Sequence, residues 1–389
     1  MNETAVVIGI VAGEASGDQL GAGLIAALKK RYPNAVFEGV GGDKMIAEGF
    51  NSLYPMERLS VMGLVEPLKR LPELLRMRSN LFKHFRDRKP ALFIGIDSPD
   101  FTIHLEGKLR RCGIATAHYV SPSVWAWRQG RVKTIARNVD RILTLFPFES
   151  EFYRQHNVPE TCVGHHLADR LPLKPDTQAA RTELGLQGDA PLVAIMPGSR
   201  GSEVASLGKL FLDAASELAA KIDGIRFVIP AANSHRRQHI DELIQQYPHL
   251  DITVIDGQSL TAMTAADLVL MASGTVTLEA MLLKKPMVVS YRMGKMSYAI
   301  FSRLVKVDHV ALPNLLAGKR LVPELIQDDA TVENLTEAAL GFLNNPAQVE
   351  QLQSEFTRLH ELLRKNASEA AADALMPLIE GQTVEVSRG

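Results

Sequence analysis

The sequence predicts an α/β protein built from two Rossmann-like, doubly wound domains. Short runs rich in β-branched residues alternate with longer helical patterns through most of the 389 residues, which is typical of a parallel sheet covered by helices on both faces. A chain of this length is too long for one ordinary core and suits two domains. Residues 167–191 are rich in Pro, Gly, Asp and Gln without clear periodicity, and they predict a linker.

The strand candidates fall into two groups, one in each half of the chain. They are residues 5–11, 36–40, 91–96, 115–120, 141–145 and 161–163, followed by 192–196, 226–229, 252–255, 268–271 and 287–290. Each group is large enough for its own sheet. We therefore predict a first domain over residues 1–170 and a second over residues 190–330, with an interdomain cleft for ligands.

Residues 331–389 predict C-terminal helices. Glu, Leu, Ala and Gln recur there in amphipathic spacing up to about residue 379. Such helices could pack back across the linker, pair with a second subunit in a homodimer, or cap the second sheet.

The composition is that of a soluble globular protein, with 46% hydrophobic and 22% charged residues. The net charge of -1 supplies no basic field, so we expect no nucleic-acid partner. Cys112 and Cys162 have no metal-ligand spacing and make no disulfide framework, which favours a reducing, cytoplasmic compartment without a metal site. The first strand has no charged leader, and no apolar run is long enough to span a bilayer.

Two loops in the second half place glycine turns and hydroxyl groups at the start of helices. One strand leads into Ser199 and Arg200, and another leads into Ser273, Gly274 and Thr275. Backbone N–H groups at a helix start bind anions, and arginine donates paired hydrogen bonds to phosphate oxygens. Two such loops in one domain predict a site for a diphosphate.

Glu279 lies about one helical turn after Thr275 and so on the same helix face. A carboxylate there can accept hydrogen bonds from the vicinal hydroxyls of a ribose. The alternative is an acidic residue favoured only by the helix dipole, which is common in a first turn. Next to the glycine turns, the ribose is the better interpretation.

The first strand leads into residues 12–18, whose glycines allow a tight turn before an apolar helix. The segment lacks the G-x-G-x-x-G of a dinucleotide site and the Gly-Lys-Ser/Thr of a P-loop. Taken alone, this motif is best explained as a helix cap, with Ser16 or Asp18 as the capping residue.

Asp97 stands where an apolar strand gives way to a loop. A carboxylate in this place is partly desolvated, as a general base at neutral pH needs to be. Asp100 follows Pro99 in the predicted first turn of the next helix, where an acidic residue is a normal cap. We therefore predict a chemical role for Asp97 and a structural role for Asp100.

The two tryptophans of the chain, Trp125 and Trp127, are two positions apart and follow closely after the strand at 115–120. Ser121, Trp125, Trp127 and Arg128 could form a binding wall beyond the carboxyl end of that strand. Two tryptophans could equally fill a gap between packed layers, and the motif alone does not separate these interpretations.

A segment before residue 90 combines apolar and basic residues. Residues 66–90 hold eight Lys or Arg against three acidic residues. The candidate membrane-facing side chains are Val61, Met62, Leu64, Val65, Leu68, Leu71, Leu74 and Leu75. Apolar residues at helical spacing with basic neighbours can lie in an anionic lipid surface. The commoner explanation of such a stripe is ordinary core contact.

Five segments together resemble the lipid-A-disaccharide synthase family, in order and at the spacing of that family. They are VAGEASGD at 11–18, GIDSPDF at 95–101, YVSPSVWAWR at 119–128, PGSR at 197–200 and LPNLL at 312–316. The likeness extends from about residue 6 to the C-terminal helices.

This resemblance implies a two-domain inverting glycosyltransferase of the GT-B type, at the cytoplasmic face of a Gram-negative inner membrane and without a cofactor. It would join UDP-2,3-diacylglucosamine to 2,3-diacylglucosamine 1-phosphate (lipid X), giving a β-1,6-linked disaccharide 1-phosphate and UDP. Asp97 would be the base, and Asn314 would lie near the nucleotide. Glu14 and Ser16 would face the acceptor side, together with the tryptophan segment. The acyl chains of both substrates give the apolar, basic segment a purpose at the membrane.

Two other functions fit the same two-domain plan. A non-hydrolysing UDP-sugar epimerase needs neither a lipid acceptor nor a lipid-facing surface. A sugar-nucleotide binding protein would bind UDP without releasing it when an acceptor is added.

Overall fold

The computed structural model describes residues 6–59, 66–127, 129–294, 298 and 307–381, with the backbone alone for 66–69. The chain forms two compact units. The first comprises Met1–Asp169 and Leu363–Gly389, and the second comprises Arg170–Leu362. The first unit thus contains the last described helix as well as the first half of the chain.

The first unit contains a seven-stranded parallel sheet in the order β3-β2-β1-β4-β5-β6-β7. The strands are β1 (Val7–Ala12), β2 (Val36–Gly41), β3 (Asn51–Pro55), β4 (Leu92–Ile96), β5 (Ala115–Tyr119), β6 (Arg141–Thr144) and β7 (Glu160–Cys162). The helices before the linker are α1 (Ala15–Arg31), α2 (Asp43–Ala47), α3 (Glu66–Arg88), α4 (Pro99–Arg110), α5 (Val132–Asn138), α6 (Pro147–Gln155) and α7 (His166–Arg170).

The second unit contains a six-stranded parallel sheet in the order β10-β9-β8-β11-β12-β13. Its strands are β8 (Leu192–Met196), β9 (Arg226–Ala231), β10 (Ile252–Asp256), β11 (Leu268–Ala272), β12 (Met287–Tyr291) and β13 (Glu324–Ile326). Its helices are α8 (Thr177–Glu183), α9 (Gly201–Ala219), α10 (Ser234–Ile244), α11 (Ser259–Ala265), α12 (Val276–Leu282), α13 (Leu312–Ala317), α14 (Val332–Leu343) and α15 (Pro346–Leu363).

The last helix, α16 (Ala367–Ile379), belongs to the first unit and packs on α1. Arg31 of α1 pairs with Glu369 and Asp373 of α16 at this contact. The predicted segment 331–389 is therefore divided, since α14 and α15 lie in the second unit and α16 in the first.

The core of the first unit consists of two layers, one on each face of the sheet. Ile8 and Ile10 of β1 pack in the layer with α1 and α16. Val11 of the same strand packs in the other layer, with Phe85 of α3 and Leu105 of α4. Successive side chains of a strand point to opposite faces, and both faces here are covered. This explains why the strands read as short, continuous apolar runs.

Each sheet has one point at which the strand order reverses. In the first unit it lies between β1 and β4, and in the second between β8 and β11. The loops that leave such a pair of strands diverge to opposite faces of the sheet and open a crevice at its carboxyl edge. The fold thus places residues 13–17 and 97–98 at one crevice and residues 197–200 and 272–275 at the other.

The predicted fold class is confirmed, and all eleven strand candidates are strands. The sequence interpretation missed β3 and β13, which are the outer strands at one edge of each sheet. The segment of β3, Asn51–Pro55, is polar and ends in proline. Such a strand is paired on one side only and needs no continuous apolar run.

Candidate functional site

A cavity of about 610 Å³ opens at the carboxyl edge of the second sheet. The ends of β8, β9 and β11 border it. Six residues predicted for the nucleotide line this cavity, namely Ser199, Arg200, Ser273, Gly274, Thr275 and Glu279. The structure therefore brings together the two glycine loops and the acidic residue of the helix that follows.

Glu203 fixes the shape of the first loop. One of its carboxylate oxygens, Oε2, accepts hydrogen bonds from the backbone N–H groups of Ser199 and Arg200, both at 3.0 Å. Gly198 has φ of 120°, and a Cβ on it would lie 2.4 Å from that oxygen. Only glycine leaves room for this arrangement. Glu203 had no predicted role, although its place at the third position of α9 is a known capping signal.

The guanidinium of Arg200 is available to a ligand. Its side chain is 80% exposed, and Nη1 lies 3.1 Å from Oε1 of Glu203. An exposed ion pair of this kind contributes little to stability, so an incoming phosphate can replace it at small cost. The side chain stands at the start of α9, where the helix dipole also favours an anion.

Hydrogen bonds of Thr277 hold the second loop, at residues 273–275, in place. Its hydroxyl donates to the carbonyl oxygen of Gly274 at 2.7 Å and accepts from the N–H of Leu312 at 3.3 Å. Glu279 follows on the next half-turn of α12 and is partly buried at the cavity. Burial raises the pKa of the Glu279 carboxyl.

Asn314 does not line this cavity, because its amide is fully engaged inside the protein. Oδ1 accepts from the N–H groups of Leu321 and Val322, and Nδ2 donates to the carbonyl oxygen of Val322 and to Glu324. The side chain is fully buried. The described contacts therefore give Asn314 a structural role in the turn after α13, and its place near the nucleotide stays a prediction.

The crevice of the first sheet contains a strained turn. Asp97 and Ser98 have φ of 56° and 46°, and Val120, at the end of the neighbouring strand, has φ of 76°. Non-glycine residues in this region cost about 1–3 kcal/mol each and concentrate at functional sites. Gly13 lies against the same turn, since a Cβ on it would be 2.3 Å from Oγ of Ser98.

Asp97 is partly exposed at this turn. Its Oδ1 accepts from the N–H of Ser98 at 2.8 Å, and its own N–H donates to the carbonyl oxygen of Tyr119 at 2.9 Å. Within the described part of the chain, Oδ2 has no hydrogen-bond partner. One carboxylate oxygen thus orients the side chain, and the other can accept a proton.

The start of α1 differs from the predicted cap. Asp18 is buried and accepts from the N–H groups of Gly42, Lys44 and Met45, so it caps α2 instead. The helix α1 begins after Glu14 without a side-chain cap. The interpretation of Ser16 or Asp18 as the cap of α1 is therefore wrong. Glu14 and Ser16 are exposed at the first crevice.

The structure separates the two tryptophans. Trp125 is partly buried, packs edge-on against Phe148 with ring centroids 4.7 Å apart, and donates from Nε1 to Glu149 at 3.3 Å. Trp127 is 38% exposed. Trp125 therefore braces the loop, while Trp127 presents its ring at the surface. Arg128 lies outside the described residues.

Glu149 is a buried acidic residue that the sequence interpretation missed. The backbone N–H groups of Leu145 and Phe146 and the Trp125 indole donate to its carboxylate and favour the ionised form. Burial outweighs them and raises the pKa of the Glu149 carboxyl to about 7. A signal for Glu149 was present in the sequence. Pro147 is typical of the first position of a helix, and an acidic residue two positions later is typical of a helix cap.

The apolar, basic segment is described only in part. Val61, Met62, Leu64 and Val65 lie outside the described residues, as does the side chain of Leu68. On α3, Leu71 and Leu75 are 45% and 46% exposed. Leu74 instead packs against the core of the first unit.

Two features are absent from the described residues. No helix there is long and apolar enough to cross a membrane, and no group of three or more His, Cys, Asp or Glu side chains there could hold a metal ion.

Two doubly wound units, each with a crevice at the carboxyl edge of its sheet, define the fold that two-domain glycosyltransferases and sugar-nucleotide epimerases share. Solved structures share this fold. A UDP-GlcNAc 2-epimerase from Neisseria meningitidis bound to UDP-GlcNAc is similar with a TM-score of 0.61 at 15% identity, covering 96% of this chain and 100% of that one. A glycosyltransferase from Rickettsia africae has a TM-score of 0.61 at 11% identity, covering 97% and 99%.

The family is shown by sequence. The chain belongs to the lipid-A-disaccharide synthetase family, whose profile matches residues 8–376. The lipid-A-disaccharide synthase of Hahella chejuensis is 56% identical over 98% of this chain and 96% of its own length. The corresponding enzyme of Cellvibrio japonicus is 54% identical over 96% and 97%, and that of Pseudomonas aeruginosa strain UCBPP-PA14 is 52% identical over 96% and 98%.

Proposed function

We propose that this protein is an inverting glycosyltransferase that transfers diacylglucosamine from UDP to the 6-hydroxyl of 2,3-diacylglucosamine 1-phosphate. The products are the β-1,6-linked disaccharide 1-phosphate and UDP. The observation that carries this proposal is the convergence of both glycine loops, Arg200 and Glu279 on one cavity, in a member of this family.

The second unit holds the donor in this proposal. The diphosphate lies against the hydroxyls of Ser199, Ser273 and Thr275 at the cavity, and Arg200 neutralises charge on the phosphate that leaves. This charge grows as the bond between the anomeric carbon and the phosphate oxygen breaks, so the interaction strengthens toward the transition state. Glu279 accepts hydrogen bonds from the ribose hydroxyls. No metal cofactor is required for these steps, because Arg200 and the start of α9 supply positive charge.

The first unit activates the acceptor. Oδ2 of Asp97 takes the proton of the acceptor 6-hydroxyl while that oxygen forms the bond to the anomeric carbon, on the face opposite the departing UDP. The electron pair of the broken bond leaves with UDP. Glu14, Ser16 and the segment from Ser121 to Arg128 surround the acceptor sugar in this proposal.

A single assay tests the function. The protein is incubated with UDP-2,3-diacylglucosamine alone and with 2,3-diacylglucosamine 1-phosphate added, and free UDP is measured with a coupling enzyme. We expect UDP release only when both lipids are present. A donor whose sugar changes configuration without acceptor would indicate an epimerase. UDP binding without release in either arm would indicate a binding protein.

We further propose that the protein associates peripherally with the cytoplasmic face of the inner membrane. Leu71 and Leu75 are one turn apart on α3 and together present an exposed apolar pair. Basic residues of the same helix would meet anionic headgroups. A homodimer through the C-terminal helices stays a prediction, and in this single chain α16 is engaged with α1.

Changing both Leu71 and Leu75 to serine should weaken binding to anionic phospholipid vesicles by at least about tenfold, since each leucine loses most of the apolar area it would bury. Sedimentation with vesicles measures the bound fraction. The matched control is Leu362→Ser, which removes a comparably exposed leucine of the second unit. Equal binding of the double variant and the control would contradict a membrane role for this face.

A further inference from the structure

We propose that Glu149 is a positioning residue for the transfer reaction: its carboxylate holds the indole of Trp125 and thereby sets the loop at 120–127 for the acceptor sugar. This inference rests on the proposed function, in which that loop borders the acceptor. It adds a residue for which the sequence offered no role.

The carboxylate of Glu149 joins two separate loops. It is only 4% exposed. Oε2 accepts from the N–H groups of Leu145 and Phe146 at 3.1 and 3.0 Å, where β6 ends, and Oε1 accepts from Trp125, in the loop after β5. A buried carboxylate is costly unless donors surround it, and here one side chain provides acceptors for two chain segments. The indole is therefore tied to a rigid strand end.

A second bond from α6 holds the beginning of the same loop. Tyr153, one turn after Glu149, is fully buried, and its hydroxyl lies 3.0 Å from Oγ of Ser121. Ser121 is the second residue after β5, whereas Trp125 is the sixth. The loop is thus fastened to one helix at two points, and α6 determines its course.

Aromatic contacts fix the orientation of the Trp125 ring as well as its position. Trp125 meets Phe148 at an interplanar angle of 70°, and Phe148 stacks on Phe146 at 5.4 Å and 11°. Phe146 in turn stacks on His165 at 5.7 Å. Edge-to-face and stacked pairs each favour one arrangement of rings. The indole N–H can therefore reach its acceptor in few orientations, and Glu149 occupies that place.

The loop leaves the sheet directly beside Asp97. Ile96 and Tyr119 are register partners, and the N–H of Asp97 donates to Tyr119 at 2.9 Å. Val120 then turns the chain with φ of 76°, an unfavourable value for a β-branched residue. Strain of this kind persists only where surrounding contacts impose it. The bonds of Glu149 and Tyr153 are contacts that can impose it.

The alternative is that Glu149 only caps α6. The two roles differ in chemistry, because the backbone N–H groups of Leu145 and Phe146 need one oxygen and Trp125 needs the other. In Glu149→Gln the amide oxygen can keep the backbone bonds, while the NH₂ group faces the indole N–H as donor against donor. This variant therefore keeps the cap and removes the bond to Trp125.

The test is a double-mutant cycle of Glu149→Gln and Trp125→Phe. For each variant we measure the affinity for 2,3-diacylglucosamine 1-phosphate in detergent micelles and the KM for each substrate. We expect Glu149→Gln to weaken acceptor affinity and raise acceptor KM by about tenfold, as the loss of a hydrogen bond that leaves the indole N–H without an acceptor implies. Donor KM should change less than about twofold. Since Trp125→Phe already lacks the indole N–H, adding Glu149→Gln to it should change acceptor affinity by less than about twofold.

Glu151→Gln is the matched control, because it makes the same change on an exposed position of α6. Unchanged acceptor affinity in Glu149→Gln, or an equally large effect of that change in the Trp125→Phe background, would overturn the positioning role. Affinity is measured without turnover, so it separates the two proposals. If the parent protein bound the acceptor and Glu149→Gln weakened that binding, but no UDP were released, the proposed transferase function would be refuted. The role of Glu149 in positioning the loop for the acceptor would still stand.

Discussion

Asp97→Asn is expected to lower turnover by about 10³-fold, which is within the range that a positioned general base contributes. The asparagine amide cannot take the proton of the acceptor hydroxyl. Its oxygen can still accept from the N–H of Ser98, as Oδ1 of Asp97 does at 2.8 Å. Asparagine also tolerates the left-handed backbone of this position better than most residues. The variant should therefore fold normally and bind UDP with near-normal affinity.

Steady-state kinetics with both lipid substrates, together with a thermal unfolding curve, check this result. Asp100→Asn serves as the control, because Asp100 lies in the same turn but is exposed and paired with Arg131. It should keep turnover within about threefold of the parent protein. If Asp97→Asn kept near-normal turnover with an intact fold, another group would have to be the base.

Arg200→Ala is expected to lower turnover by about 10²-fold and UDP affinity by about tenfold. The guanidinium is 80% exposed and bound only to Glu203 within the described residues, so little folding stability depends on it. In the proposed function its positive charge meets the diphosphate in the bound donor and the larger charge of the departing UDP. Both constants should therefore worsen, and turnover should worsen more.

Calorimetric titration with UDP and steady-state kinetics measure the two effects. The control is Arg237→Ala, which removes a guanidinium of the same unit that is already engaged with Asp241 and Asp256. It should leave UDP affinity within about twofold. Unchanged UDP affinity in Arg200→Ala would remove this residue from the diphosphate site.

Sequence patterns were reliable where a site is made by consecutive residues. A strand followed by a glycine turn and a helix start identifies the ends of β8 and β11, and the parallel sheet then places Ser199 and Thr275 at one cavity. The same logic identified Asp97 at the end of β4. The patterns failed where the decisive partner lies elsewhere in the chain. Asp18 was predicted as a cap of α1, but its carboxylate accepts from the N–H groups of Gly42, Lys44 and Met45 at the start of α2.

The tryptophan segment shows both what the sequence can predict and what it cannot. Its composition marked it as unusual and contributed to the family resemblance. Only the packing of α6 shows that Trp125 is partly buried against Phe148 and bonded to Glu149, whereas Trp127 is exposed. The two interpretations that composition left open therefore apply to different residues.

The sequence by itself determined the α/β class, the family and the loops that line the candidate nucleotide cavity, because each of these depends on local order: strand, turn, helix start. The tertiary structure alone decided which acidic residues form hydrogen bonds to distant segments. Glu149 reaches Trp125 across 24 positions, and Asp18 reaches Gly42 across the same separation. Hydrogen bonds between such distant residues leave no periodic pattern in the sequence, since they form only after the strands have been placed side by side.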